Sequence, residues 1–576
     1  MKKRLAAALV GWRSSIFLAM VILALAAALL LAPSLALGTL PTHSSAYSLS
    51  WSAQFSEQFR AGHPYPRWLS QSFNGLGAPT FYFYPPLSFW IDALVSAASF
   101  NSLSVSYRLS ITSFLALWAS GIAMYAWLRH ETGRATVALV GAIAFMAAPY
   151  HLFDHYIRGA FAEFTAYAVV PIVMLTVSLC AEGRRHAPIL LALAYAALLM
   201  AHLPTAVLMT ATLLPAYLLF RSGRLGLGVA ALPLIARVTF GVILGIGLAA
   251  IYIVPALSLQ QWVSTDILWA PQYRPDSWLL LAPQRWIAPS VMRIVGSLAI
   301  SAVLLAVAIC IVLPLMPAAK GTRYEPGFWA GATFAVVALM AGVFPWFWSL
   351  PGLKDVQFPY RLLSMVEFSV ITGLCLSRIR ELRPGLDYKL FAAAIVMVAG
   401  ATVWLLSIAP IVTNDALRRI AAKLDNAPLR QFEAAEYLPR GYGSRAGGLP
   451  DYENDPLPEV PSISCEPAAI VCQAKDLPFG ELMIEVESQV PTTVVLRRFW
   501  FPSWRVEPAL PVSATDDQKL ASFIAPPGRI AVRLIRTSTA QEWWGAMISG
   551  LSLIVLIAMT MGTAGAVPRR ASAASP

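Results

Sequence analysis

The sequence predicts a polytopic α-helical membrane protein with about 12 transmembrane helices and one external, mostly-β, sandwich-like domain before the last helix. Three observations carry this. The 576 residues are 58% hydrophobic and 12% charged, with mean hydropathy +0.64, which is too apolar for a single soluble core. The apolar residues fall in runs of bilayer length along the chain. A polar, Pro- and Gly-punctuated stretch with period-2 alternation interrupts them once, from about Ile411 to Glu542.

The runs able to span are 15–37, 104–128, 135–150, 163–181, 187–202, 203–220, 233–256, 290–316, 327–347, 360–377, 389–410 and 543–563. Met1-Lys2-Lys3-Arg4 before the first run resembles a signal sequence, but the run is long and lacks a small-residue cleavage site, so an uncleaved anchor is expected. The stretch 187–220 is split at His202-Leu203-Pro204, since proline opens a new helix more readily than it continues one. Threaded from a cytoplasmic N-terminus, Arg129, Arg134, Arg184, Arg185, Arg221, Arg224, Lys320, Arg378 and Arg569 all fall on the cytoplasmic side. Counting Pro86 to Phe100 as a span would invert that pattern, so it reads as an interfacial or re-entrant helix. The expected organisation is a bundle over 1–410 with a long external loop at 38–103, an external β-rich domain over 411–542, and a final helix and cytoplasmic tail over 543–576. That layout places the protein in the inner (plasma) membrane, with both termini cytoplasmic and large loops periplasmic or extracellular.

The net charge of +12 does not mark a nucleic-acid partner, because Lys and Arg sit in short clusters between apolar runs. Within the polar stretch, Leu482 to Glu487 and Ile530 to Leu534 alternate as strands, Pro526-Pro527-Gly528 marks a turn, and Asn414 to Asp425 reads as a helix leading off the membrane. Cys465 and Cys472 lie there and can form a local disulfide if the domain is external, whereas Cys180, Cys310 and Cys375 fall in apolar runs.

The first loop reads Gly62-His63-Pro64-Tyr65-Pro66-Arg67-Trp68-Leu69, then Gly75-Leu76-Gly77-Ala78-Pro79, then Phe81-Tyr82-Phe83-Tyr84-Pro85-Pro86. Its prolines and glycines stiffen the backbone, its aromatics suit an interface, a sugar or a prenyl group, and Arg67 has the fork that grips phosphate. The alternative is a loop that merely packs on the bundle. These segments resemble the membrane family labelled 6-pyruvoyl-tetrahydropterin-synthase-related. The likeness continues through Tyr156-Ile157-Arg158-Gly159-Ala160 with Glu163, His202, Gln357-Phe358-Pro359-Tyr360-Arg361, Glu436-Tyr437-Leu438-Pro439 and Phe501-Pro502-Ser503-Trp504-Arg505, as also in YfhO-type relatives.

In layout such proteins are similar to multi-spanning glycosyltransferases of the GT-C type. The resemblance therefore implies sugar transfer from a polyprenyl-phosphate donor at the external face, with an acidic residue in the first loop as base or metal holder. No pterin chemistry is expected, since that zinc enzyme needs a histidine-bearing soluble domain absent from this sequence. Where the acid belongs, the chain reads Thr42-His43-Ser44-Ser45, and serine cannot act as a carboxylate base. A non-catalytic or transport-type protein on the same scaffold is therefore the second reading.

Asp154 and Glu163 are the expected replacement carboxylates. His43, Ser44, His63, Arg67, Trp68, Arg158, His202, Gln357 and Arg361 are expected around a lipid-linked sugar donor. Arg158 with Glu163 is equally read as an ion pair closing a helix end, and Arg361 as a residue snorkelling to headgroups. His151 and His155, four apart on one helical face, would hold a divalent metal with Asp154 or with a distant partner such as His202 or His63, or else decorate a polar interface. Asp355 could line the same cavity, and the buried Glu367 calls for an arginine partner or a functional role. Trp500, Phe501, Trp504 and Arg505 read as a β-sandwich core before they read as a carbohydrate platform.

Overall fold

A computed structural model of the chain describes residues 2–226, 228–270, 273–279, 325–376, 433–442, 461–516 and 518–564. Seven of its helices are long and apolar enough to cross a membrane: Val105–Thr132, Ala135–Arg158, Phe161–Ala181, Leu203–Arg224, Val229–Leu248, Pro359–Leu376 and Ala540–Met561. Shorter apolar helices run over Ile16–Leu30, Ala187–Ala201 and Glu325–Ala341. Ten of the expected spans overlie these helices, while 290–316, 389–410 and the helix expected at Asn414 to Asp425 lie outside the described residues.

The break expected at His202 is present. Its backbone is extended, φ −160° and ψ 105°, which ends Ala187–Ala201 and opens Leu203–Ala211 with Pro204 in the first turn, where a missing N–H costs nothing. At one end of the bundle the basic clusters meet acids: His130 Nε2 lies 2.9 Å from Glu182, Arg221 lies 3.9 Å from Glu131, and Arg224 pairs with Glu325.

The opposite end carries the first loop. It contains a helix over Ser45–Arg60, whose inward face is buried, and a second over Leu87–Ala98. Twelve residues rise only about 18 Å, short of a hydrocarbon core of about 30 Å. The non-spanning reading of this segment rests on that length. Asp92 in this helix and Arg108 of Val105–Thr132 form a buried ion pair at 3.0 Å. Ser52 and Ser56 donate to Asp92, and Arg108 also reaches the Ser52 carbonyl, so one charge pair staples the loop helices to the bundle.

Two four-stranded antiparallel sheets form the β domain: β1 (Ile463–Glu466), β4 (Thr492–Phe499), β7 (Leu520–Ala525) and β6 (Ser513–Ala514) in one, and β2 (Val471–Asp476), β3 (Leu482–Ser488), β8 (Gly528–Arg536) and β5 (Trp504–Glu507) in the other. In β3, Leu482, Ile484 and Val486 are buried while Met483 and Glu485 are exposed, the alternation of a half-buried strand. Cys465 and Cys472 join β1 to β2 as a disulfide.

The apolar interior of this domain continues into the first loop. Trp68, 1% exposed, meets Trp504 edge-on at 5.3 Å and Phe501 at 6.0 Å, and Phe73 packs on Phe499 at 5.7 Å. Polar bonds accompany them: Phe499 donates its amide to Leu76 O, and Arg498 reaches the carbonyls of Gly75 and Gly480. Gly77, at φ 85°, is required here, because a Cβ would stand 2.6 Å from the Trp68 indole.

A strap over residues 433–442 ties the loop from its other side. The Glu433 carboxylate accepts from Trp51 Nε1 at 2.8 Å, Thr80 Oγ1 at 2.6 Å and the Ala434 amide at 2.9 Å. Tyr437 packs on Trp51 and Phe83, and Ser264 donates its amide to Leu438 O. The helix Ala540–Ala564 is the least covered of the seven described spans, with Trp543 and Trp544 exposed at its start as expected of a membrane-interface belt.

Two consequences are measurable. Asp92→Ala strands the buried Arg108 guanidinium and should destabilise the detergent-solubilised protein by about 3–5 kcal/mol, read as a lower thermal midpoint. Burial pushes the Glu433 carboxyl up from 4.5 to about 7 against the hydrogen bonds it accepts. Over that range the folded chain holds a proton that the unfolded chain has released. The stabilisation is therefore complete below about pH 4.5 and lost as the pH rises through about 7, a swing on the order of 3 kcal/mol. Glu433→Gln should remove this part of the pH dependence in thermal unfolding followed between pH 4.5 and 7.5.

Candidate functional site

The helix that begins at Ala135 does not end on a regular turn. After Pro149–Phe153 the chain widens into a π-helical turn over Asp154–Arg158, closed by Gly159 at φ 62°. Such turns are rare and recur at functional sites, since they re-aim side chains that a regular helix would stack. Here the turn bends Arg158 back toward Asp154 and forward to Glu163 in the next helix, Phe161–Ala166.

Arg158 Nη1 lies 2.6 Å from Asp154 Oδ1, 2.7 Å from Glu163 Oε2 and 3.0 Å from the Tyr150 hydroxyl. Glu163 is the hub: Oε1 accepts from Tyr150 OH at 2.7 Å, and Oε2 also receives Arg361 Nε at 3.2 Å, with His202 Nε2 at 4.0 Å. His202 is held from its other side, Nδ1 lying 2.7 Å from Thr205 Oγ1. Arg361 spends only Nε on this cluster, and its two Nη groups have no hydrogen-bond partner among the described residues. Asp154 is fully buried, yet its Oδ2 has no partner among the described residues. Paired charges are the expected state in so dry a place; an unused carboxylate oxygen beside two guanidinium groups is not.

The start of the first loop docks on the same turn. His43 and Ser44 donate their amides to Ile157 O and Arg158 O at 3.1 and 2.9 Å. Gly159 allows this approach, because a Cβ there would lie 2.0 Å from Thr42 Oγ1. A narrow cleft results, lined in part by Thr42, Ser45, Ser48, Asp154, Phe161 and Phe164. Tyr84, further along the loop, lies within electrostatic reach of Arg361, Arg158, Glu163 and Glu436. Burial pushes its hydroxyl well above the usual tyrosine value despite the two arginines, so it is a neutral donor.

Of the residues singled out in the sequence, Asp154, Glu163, Arg158, His202 and Arg361 come together, with His43 and Ser44 at the rim. Gln357 is half-buried four residues before Arg361, with no hydrogen-bond partner among the described residues, and Asp355 is exposed. Three of the expected residues lie apart from this cluster. His63 is exposed and packs against Phe479 of the β domain at 4.9 Å. Arg67 lies under Tyr65 and pairs with Glu542 at 3.0 Å, donating also to Ile251 O, so its fork is spent on the last helix and its neighbour. Trp68 is sealed against Trp504.

The two histidines expected at a metal have other contacts here. His151 stacks on Tyr167 at 3.9 Å with Nδ1 on Phe145 O, and His155 Nε2 bonds Ser34 Oγ at 2.8 Å. Both rings pack against Phe164, at 4.8 and 5.2 Å, and no group of three His, Cys, Asp or Glu suited to a metal occurs among the described residues. Glu367 takes the Tyr150 amide at 2.6 Å and Tyr167 OH at 3.1 Å rather than an arginine. Phe501 and Trp504 are core residues, 1% and 0% exposed. Sequence reasoning missed Tyr150 and Thr42, which carry no signal beyond standing next to ionisable residues.

Solved structures with some likeness include the arabinofuranosyltransferase AftD from Mycobacteria, at 15% identity and TM-score 0.43 over 70% of this chain. This chain spans only 28% of that one. ArnT from Cupriavidus metallidurans bound to undecaprenyl phosphate aligns at 15% identity and TM-score 0.37, over 71% of this chain and 73% of that one. No curated protein matches the sequence. The profile of a family described as a 6-pyruvoyl-tetrahydropterin synthase related domain, membrane protein, matches residues 81–416, more than half of the chain. The chain therefore belongs to the 6-pyruvoyl-tetrahydropterin synthase related family of membrane proteins.

Proposed function

We propose that this protein is a membrane glycosyltransferase of the GT-C type, which moves a sugar from a polyprenyl-phosphate donor to an acceptor hydroxyl at the external face of the plasma membrane. The observation that carries the reading is the unpartnered Asp154 Oδ2 beside Arg158 and Arg361, in a cleft bounded by the start of the first loop. The bundle over 1–410 holds the site, the domain over 411–542 braces the loop, and the N-terminus and the tail after the helix at 543–576 lie in the cytoplasm, where the arginine clusters favour them.

The roles divide by chemistry. Glu163 spends both oxygens on Tyr150, Arg158 and Arg361, so it orients the guanidinium groups and is a poor base. Asp154 takes the proton of the acceptor hydroxyl on its free oxygen. The acceptor oxygen bonds to the anomeric carbon as the bond from that carbon to the phosphate oxygen breaks. The electron pair leaves with the lipid phosphate, whose charge is met by the free Nη groups of Arg361 and by Arg158. Ser44 stands where a first-loop acid is expected, and its amide is bound to the Arg158 carbonyl, so the neighbouring turn supplies a carboxylate to the place the loop leaves without one. Ser44 also motivates a second reading, a scaffold that binds or moves the lipid-linked sugar without turnover.

The test uses the purified full chain in lipid nanodiscs with a synthetic polyprenyl-phosphate sugar. Arg361→Met should weaken binding by at least about tenfold, equivalent to about 1.4 kcal/mol. Asp154→Asn should keep that binding and lower transfer to cell-envelope acceptors by about 100-fold or more. Lipid binding that ignores Arg361→Met sinks the proposal; binding without transfer in the parent protein selects the second reading.

A further inference from the structure

Glu367 is an intramembrane carboxyl with no part in the chemistry above. It sits in the span Pro359–Leu376, six residues after Arg361, which is about 9 Å along a helix. An ionisable group at that depth is costly to keep, and no Lys or Arg among the described residues pairs with it. Its partners are instead a backbone amide and a tyrosine hydroxyl.

Those partners lead into the site. Pro149 restarts the helix that began at Ala135, and the Tyr150 amide finds its acceptor in Glu367 Oε1, at 2.6 Å, instead of in the preceding turn. At the other end of the same residue, the Tyr150 hydroxyl donates to Glu163 Oε1 at 2.7 Å and accepts from Arg158 Nη1 at 3.0 Å. Glu163 Oε2 in turn receives Arg361 Nε at 3.2 Å. Glu367, Tyr150, Glu163 and Arg361 thus form a closed ring, whose last side is the span that carries both Arg361 and Glu367. A third span steadies the ring from behind: the Tyr167 hydroxyl donates to Glu367 Oε2 at 3.1 Å, and the Tyr167 ring stacks on His151 at 3.9 Å.

Such a ring fixes a register. Asp154 and Arg158 follow Tyr150 by four and eight residues, so a slide of the Tyr150 peptide along Pro359–Leu376 carries both of them past Arg361. A misplacement of about 1 Å can cost on the order of 100-fold in rate. We infer that Glu367 is a positioning residue, which through the Tyr150 peptide holds the π turn carrying Asp154 and Arg158 at a fixed distance from Arg361. That this distance serves transfer rests on the sugar-transfer reading above; the brace itself rests on the ring of contacts.

The experiment compares the full chain in nanodiscs as parent, Glu367→Gln and Glu367→Met. Glutamine keeps an oxygen for the Tyr150 amide and can turn its NH2 to the Tyr167 hydroxyl, whereas methionine has similar size and no acceptor oxygen. A ring-fluorinated tyrosine at position 150 reports its surroundings by fluorine NMR without any turnover. Glu367→Met should move or split that signal and lower transfer at saturating donor by about 30-fold or more, with polyprenyl-phosphate affinity kept within about threefold. Glu367→Gln should leave the signal in place and the rate within about threefold of the parent. An unmoved signal in Glu367→Met, an unchanged rate beside an active parent, equal losses of rate and binding, or a glutamine variant as impaired as the methionine one would each overturn the inference. A parent that binds the lipid without transfer, with a signal that Glu367→Met still moves, removes the sugar-transfer reading and supports the brace.

Discussion

A charge withdrawn from water has to meet its opposite, and that requirement organises this molecule more than any single apolar contact does. Asp92 with Arg108 fixes the loop helices to the bundle, Arg67 with Glu542 fixes the loop to the last helix, and Glu163 with Arg158 and Arg361 fixes three spans around one point. Arg67 with Glu542 and Arg361 with Glu163 join segments distant in sequence, while Asp92 with Arg108 and Arg158 with Glu163 lock neighbouring ones, so together they define a frame. Inside that frame the exceptions are informative. Most of the buried carboxylate oxygens described at this end are spoken for, whereas Asp154 Oδ2 has no partner among the described residues and its residue lines a cleft.

Much of the architecture was legible because hydropathy at bilayer length and period-2 alternation are local signals. The strand at Leu482–Ser488 and the break at His202 can both be read from a dozen neighbouring residues. The charge cluster was legible for a related reason: an ionisable residue at the end of an apolar run is costly and needs an explanation wherever it occurs. Arg158, Glu163, His202 and Arg361 stand out on that ground alone.

The rest depended on partners that no local pattern announces. Glu433 lies 382 residues from Trp51 and 353 from Thr80, and only the folded chain reveals that all three share one carboxylate. Trp68 and Arg67 look the same in sequence whether a loop shows its aromatics to a ligand or to another domain; the ring of Trp504 decides it. The π turn was hidden as well. Its effect is large, because one widened turn brings an arginine across two acids.

The joint between the first loop and the β domain also sets an order of assembly. Synthesis runs from the N-terminus, so Trp68 and Phe73 are made more than 400 residues before the Trp504 and Phe499 that cover them. The partner of Arg67, Glu542, comes later still, in the first turn of the last span. Through most of its own biogenesis, then, the loop waits with its aromatic face uncovered while the bundle is threaded. The β domain covers that face first, and the helix that follows it then brings Glu542 to Arg67.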